Sequence, residues 1–461
     1  MLFRQIVDDA LAQYAYLIGC QRTGEALVVD PERDVDRYLA AAEAEGLRIV
    51  AVAETHIHAD FVSGAREMAA RGVTAYLSAE GGPDWQYRWP EPERARVRLL
   101  RHGDVFSVGH VEIRAVHTPG HTPEHLGFLV TDRGSGADAP IGFLSGDFLF
   151  VGDVGRPDLL ESAAGFAGMM RPSAERLGES LRQFAGAADH LQIWPGHGAG
   201  SACGKAMGAM PMSTLGYERR FNPAFRLALE RPEAFVDDIL EGQPEPPLYF
   251  AAMKRINRDG PPVLGGVPPL PLLSAEDVRA AARRDDVVIV DTRRDRRAYL
   301  ARHLRNSIHA PLDRTFPTTL GSLARIEEWV VLLVDADEAD AAARQCIRIG
   351  FDRLAGQAPP EILDAMDPAE LASIPVIDFA ALQGNHRTIV DVRRGDEYRL
   401  GHLDGAVNIP HTRLLARIDE IPRGRPVAVH CASGVRAAVA ASALARAGYD
   451  VAYVDDVFRQ R

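Results

Sequence analysis

Short apolar runs recur along the first half of the chain, each closed by Gly, Pro, Asp or Thr. AYLIG, ALVVD, RIVAVAET, VEIRAVHT, LGFLVT, IGFLSGD and LQIWPG are of this kind. Runs of about four to eight residues, bounded by turn formers, predict strands. Between them lie stretches with helical spacing, such as VDRYLAAAEAEG. Strands interleaved with helices predict a layered α/β domain over residues 1–250. The pattern then breaks at DGPPVLGGVPPLPL, residues 259–272, where proline fixes φ and removes backbone donors. A linker is expected over 251–272.

Beyond it, two segments share one plan. SAEDVRAAARRDDVVIVDTRRDRRAYLARHLRNSIHAP matches IDFAALQGNHRTIVDVRRGDEYRLGHLDGAVNIP feature by feature. Each runs helix, apolar strand ending in Asp-x-Arg, helix, His-Leu, and a strand ending in Pro. A second strand follows in each, in EEWVVLLVDADEADAAARQ and GRPVAVHCASGVRAAVA. This is an internal repeat of about 95 residues, predicting α/β units over 273–365 and 373–461.

Composition narrows the setting. The 461 residues include 46% hydrophobic and 25% charged positions, ordinary for globular domains with sizeable cores. With 52 basic against 64 acidic side chains the net charge is −12, which argues against general nucleic-acid binding. Asp8 and Asp9 interrupt the first apolar run, unlike a secretion signal. No stretch reaches the ~18 uninterrupted apolar residues of a membrane helix. Four cysteines, Cys20, Cys203, Cys346 and Cys431, are too few for a disulfide framework in so long a chain. A reducing cytoplasm and no membrane contact are expected.

Candidate chemistry gathers at strand ends in the first block. His56 and His58 alternate in THIHADFVSG, with Asp60 two positions later; His121 lies in HTPGHTPEH; Asp147 closes IGFLSGD; His197 sits in WPGHG. Loops at strand ends hold such groups on a rigid base, so they can converge. Together these motifs resemble the metallo-β-lactamase superfamily, and within it the glyoxalase II branch. In that branch's zinc hydrolases a second metal takes a histidine directly after the motif aspartate. Here that position is Phe61. His56, His121 and Asp147 remain, with His58 close by, and two histidines plus a carboxylate with open positions form the donor set of non-haem iron(II) oxygenases. Asp60, His197 and His58 are expected to hold ligands or water in place.

The persulfide dioxygenases of this superfamily fit that description. The resemblance extends through GDVGRPDLLES, where Arg156 falls on the arginine that anchors the thiol carrier. It implies one Fe(II) per chain, O2 as co-substrate and a low-molecular-weight thiol persulfide as substrate. Glutathione-using members have a tyrosine shortly after the PGH histidine; Gly198 and Ala199 stand there instead, leaving glutathione, coenzyme A or a similar carrier open. Cys203, in the glycine-rich stretch that follows, is a candidate persulfide relay if its pKa is lowered at a helix start, or a core filler. Homologous metallo-domains often self-associate, so a homo-oligomer is expected by analogy.

In the last unit the strand RPVAVH ends at Cys431, followed by Ala432, Ser433, Gly434, Val435 and Arg436 at a helix start. A thiolate there meets backbone N–H groups and the positive helix end, with Arg436 as an added cation. This resembles the rhodanese active-site loop, implying transfer of sulfane sulfur between persulfide, sulfite and thiosulfate. In the earlier unit the corresponding stretch carries Asp335, Asp337, Glu338 and Asp340 and no thiol, so that unit is expected to be non-catalytic. The expected fold class is α/β: an αββα metallo-β-lactamase sandwich followed by two rhodanese-like α/β domains. The competing expectation is a glyoxalase II-like zinc thioesterase fused to a sulfurtransferase, needing two metals to make hydroxide.

Overall fold

The computed structural model describes residues 1–90, 96–162, 168–382 and 386–458, without the side chains of 160 and 162; parts of the last expected unit, 383–385 and 459–461, lie outside the described residues. The chain divides into two compact units. One comprises 1–246 with 250–266, the other 247–249 with 267–461.

The first unit is built on two six-stranded sheets. Strands β1 (Leu2–Asp8), β2 (Gln13–Cys20), β3 (Glu25–Val29), β4 (Arg48–Ala53), β5 (Thr74–Ser78) and β6 (Val97–Leu100) lie side by side in chain order. Strands β7 (Val105–Val108), β8 (Val111–His117), β9 (Leu126–Asp132), β10 (Gly142–Gly146), β11 (Gln192–Pro195) and β12 (Ser213–Thr214) form the other, again in sequence order.

Period-two alternation decides which face each residue serves. Ala15, Leu17, Ala26, Val28 and Val52 turn towards Tyr38 and Met68 of two outer helices. Their neighbours Tyr16, Ile18, Leu27, Val29 and Ala53 meet Ile113, Phe128, Val130 and Trp194 of the second sheet. Phe143 and Ile193, on the far face of that sheet, pack on Leu177, Phe225 and Phe235 of helices Met170–Gln183, Pro223–Glu230 and Pro232–Leu240. Helices, two sheets and helices in layers are the expected αββα sandwich. Being buried on both faces, β2 and β3 read as unbroken apolar runs rather than alternating ones.

The expected linker needs correction. Residues Phe250–Asp259 form a helix that belongs to the first unit. Flanking prolines made the region look unstructured, yet the FAAMKRINRD stretch between them is free of helix breakers.

In the second unit, β13 (Val287–Asp291), β15 (Ser307–His309), β16 (Trp329–Leu333) and β17 (Leu354–Ala358) make a parallel sheet ordered β15-β13-β16-β17. Two short pieces, β14 (His303–Leu304) and β18 (Leu371–Ala372), pair separately. A second parallel sheet follows, of β19 (Val376–Ile377), β20 (Thr388–Asp391), β21 (Val407–Asn408), β22 (Val427–His430) and β23 (Val451–Val454), ordered β19-β23-β22-β20-β21. Read from the other edge, its first four strands repeat the order of the preceding sheet. Among the described residues no helix is long and apolar enough to cross a membrane.

Candidate metal centre and sulfur-transfer loop

Loops leaving the C-terminal ends of β3, β4, β8, β10 and β11 converge in the first unit. They carry Asp30, His56 with His58, His121, Asp147 and His197, all buried. Gly146 makes the sharp exit from β10 possible. It sits at φ +50°, and a Cβ there would lie 2.7 Å from the Thr55 hydroxyl and the His125 ring.

His56, His121 and Asp147 present ligand atoms within 4.8 Å of one another. Asp147 Oδ2 stands 3.5 Å from His121 Nε2 and 4.0 Å from His56 Nε2. Each ring is turned by a bond on its other nitrogen. The Thr55 hydroxyl donates to Asp30 (2.8 Å), so it accepts from His56 Nδ1 (2.9 Å). His121 Nδ1 donates to the Arg156 carbonyl at 3.0 Å. Both Nε2 lone pairs are thereby aimed at the same point. Burial, reinforced for His56 by neighbouring His58, depresses both imidazole pKa values and keeps the rings neutral, as metal ligation requires. Burial would raise the Asp147 pKa, but His197, His121 and His56 outweigh it and hold the carboxyl well below its usual range. His56 Nε2 and Asp147 Oδ2 are buried without a hydrogen-bond partner among the described residues. Orphaned donor atoms of this chemistry, pointing at one spot, fit a metal ion.

His197 lies between two carboxylates, with Nδ1 2.8 Å from Asp147 and Nε2 2.7 Å from Asp60. Burial favours its neutral form; the carboxylates reverse this and raise its pKa to about 10. Both of its ring nitrogens are thus taken up by carboxylates, which favour the protonated ring. Phe61 is fully buried, its ring 4.3 Å from that of His58. His58 turns from His56 towards Asp30 (3.2 Å) and Glu54 (3.0 Å), which overcome burial and push its pKa well up.

Arg156 and Cys203 lie in the same region, each in a defined setting. Arg156 is 1% exposed, and its guanidinium grips Asp158 through two bonds and the carbonyls of Ala202 and Pro244. Most of its N–H donors are thus spent on holding surrounding loops rather than offered to a carrier. Cys203 does lie beside Asp60 and His197. However, no helix starts there, and burial followed by the Asp60 and Asp147 charges drives its thiol pKa well up rather than down.

Sequence reasoning missed four contributors. Asp30 and Glu54 close the runs ALVVD and RIVAVAET, and their place at strand ends was the available signal. His125, in the same motif as His121, accepts the Asp147 N–H at 3.1 Å and donates to Thr118. Asn257 had no signal, because it fell in the expected linker. Its amide donates to the carbonyls of His58 (2.8 Å) and Phe61 (2.7 Å) and accepts from Ser63 N–H (2.9 Å), clamping the ligand loop.

In the second unit β22 delivers Cys431 at its end, and Ala432, Ser433, Gly434 and Val435 lead into helix Val435–Arg446. Gly434 adopts φ +89°, which turns its N–H onto Cys431 Sγ at 3.1 Å. A Cβ at Gly434 would lie 2.2 Å from the Tyr453 hydroxyl. Arg436 is gripped by both oxygens of Glu397, at 2.6 and 2.8 Å, and this bond depresses the Glu397 pKa to about 2. In the earlier repeat Glu338 pairs with Arg294, and Cys346 is buried on the following helix, its thiol pKa raised by desolvation.

Comparison with known proteins agrees with this division. The metallo-beta-lactamase superfamily model matches residues 8–197 and the rhodanese-like domain model residues 377–459. A solved metallo-beta-lactamase from Staphylococcus aureus is 37% identical with a TM-score of 0.69, the match covering 78% of this chain and 99% of that one. A hydroxyacylglutathione hydrolase of Rhodospirillum rubrum is 29% identical over 40% of this chain, which spans 61% of that relative's length. The mitochondrial persulfide dioxygenase ETHE1 of Bos taurus is 24% identical over 53% of this chain and 84% of its own. The chain belongs to the metallo-beta-lactamase superfamily and carries a C-terminal rhodanese-like domain.

Proposed function

We propose that the chain is an iron-dependent persulfide dioxygenase joined to a sulfurtransferase. The observation that carries this reading is the contrast between two neighbouring positions. One gathers His56, His121 and Asp147 with their free lone pairs aligned. The other has Phe61 where the resemblance would place a ligand, and both ring nitrogens of His197 are engaged by Asp147 and Asp60. Ferrous iron held by the first set would supply open positions for a persulfide and dioxygen together. The overall change is RSSH + O2 + H2O → RSH + sulfite + 2 H⁺, with R a low-molecular-weight thiol carrier such as glutathione or coenzyme A.

The protein's part is positioning. Thr55 and the Arg156 carbonyl fix the two rings, while His125 holds the Asp147 backbone N–H and His197 its carboxylate. Such supporting bonds typically change metal affinity or activity by about 10–100-fold. Complete burial of the ligand side chains supports a site shielded from bulk water. At Cys431, the Gly434 N–H meets Sγ and Arg436 stands in the same loop, an arrangement able to hold a sulfane sulfur as a persulfide. We further assign residues 273–365 as a second, non-catalytic rhodanese-like unit, on the shared strand order and the absence of a thiol in its loop.

One observation favours a second reading, a two-metal thioesterase. Asp60, His197 and Cys203 also place ligand atoms within 4.8 Å, so a thiolate could replace the missing histidine. Metal analysis of anaerobically purified protein, with oxygen uptake on a persulfide and hydrolysis of a thioester, separates the two.

A further inference from the structure

Arg436, the cation within the sulfur-transfer loop, has its charge matched by Glu397. A substrate such as thiosulfate carries two negative charges. Further positive charge close to the loop comes from the preceding repeat. Helix Arg296–Ala301 brings Arg296 Nη2 to 3.4 Å from the Ser433 carbonyl and 3.2 Å from Asp455. The same Nη2 is 3.3 Å from where a Gly434 Cβ would stand, so the guanidinium lies against the turn that orients the Gly434 N–H. Arg297 also grips Asp455, through Nε and Nη2. Two guanidiniums thus share one carboxylate, and one positive charge is left over. Arg296 Nε is buried with no hydrogen-bond partner among the described residues. The Tyr453 hydroxyl donates to Asp455 at 2.9 Å and lies beside Gly434 as well.

We propose that Arg296 is a substrate-positioning residue of the sulfurtransferase site, so that the repeat whose loop lacks a thiol serves its neighbour by supplying the cation that selects a small dianionic sulfur donor. The assignment rests on the sulfurtransferase reading above. In the step concerned, Cys431 thiolate attacks the outer sulfur of thiosulfate. The bond between that sulfur and the sulfonate sulfur breaks, and sulfite leaves with the electron pair. Cys431 becomes a persulfide anion, and charge is conserved: one plus two negative charges on each side. Cyanide as acceptor then removes the outer sulfur as thiocyanate and restores the thiolate.

The test is thiosulfate-to-cyanide transfer by the full iron-loaded chain and by its Arg296→Ala and Arg296→Lys variants. The alanine variant is expected to raise KM for thiosulfate about tenfold with kcat within about twofold, as loss of a charge-assisted contact predicts. Lysine should recover much of the loss, and persulfide-dependent oxygen uptake should be the same in all three. A KM for Arg296→Ala equal to that of the unaltered protein, or a lysine variant as impaired as alanine, would overturn the assignment. No thiocyanate from the unaltered protein would instead overturn the sulfurtransferase reading, and this assignment with it.

Discussion

At the scale of single residues, the proposed one-metal reading turns on Phe61 and His197. A histidine at 61 would add a donor; the phenyl ring packs on His58 instead, and His58 turns to Asp30 and Glu54. This substitution was legible in the sequence, as was the set His56, His121 and Asp147, because ligand residues at strand ends follow directly from the apolar runs. What the sequence hid was commitment. Arg156, expected to anchor the carrier, has most of its donors on Asp158, Ala202 and Pro244. Local sequence cannot show whether an arginine faces a cleft or a wall. The Arg436–Glu397 pair gives a prediction at this scale. The Glu397 pKa is lowered from 4.5 to about 2, first by its bond to Arg436. A depressed carboxyl stabilises the fold above its unfolded pKa and loses that contribution as pH falls through the folded one. The stability difference between the unaltered protein and Glu397→Gln should therefore be constant above about pH 4.5 and shrink towards pH 2. Denaturant midpoints for the second unit across that range would measure it. A difference that does not change with pH would contradict it.

At the scale of elements, helix Phe250–Asp259 has the largest consequence that patterning did not reveal. Prolines on both sides read as linker, and only tertiary packing shows that Asn257 reaches back to the loop of His58 and Phe61. Long-range hydrogen bonds of this kind leave no periodic trace. Asn257→Leu removes the partner of two carbonyls and one N–H in a buried loop, each costing about 1–3 kcal/mol when unmet. The variant should bind iron about 10–100-fold more weakly than the unaltered protein, as chelator competition would show. Unchanged affinity would mean the loop is held by its sheet alone. The strands were easier to foresee. β2, β3 and β10 are buried on both faces, so their apolar runs are nearly continuous, and each site residue follows a run's end. The repeat was legible for the same reason, since equivalent strands keep equivalent flanking motifs.

At the scale of the whole molecule, the proposed function puts two chemistries in one chain, with the sulfite made by the first an acceptor for the second. Linking the two modules covalently raises the effective concentration of one for the other. The modules should nonetheless be separable by a single atom. Cys431→Ser should keep persulfide-dependent oxygen uptake near that of the unaltered chain while abolishing thiosulfate formation, as followed by ion chromatography of the products. Equal loss of both activities would show that the two steps are one. Whether the first unit holds iron and consumes oxygen is decided by metal content measured alongside oxygen consumption in one anaerobically purified sample. One iron per chain is expected, with oxygen uptake that depends on added persulfide and vanishes in Asp147→Ala. Two zinc ions per chain with thioester hydrolysis and no oxygen uptake would contradict it, and Cys203 would then be the ligand that replaces the histidine missing at Phe61.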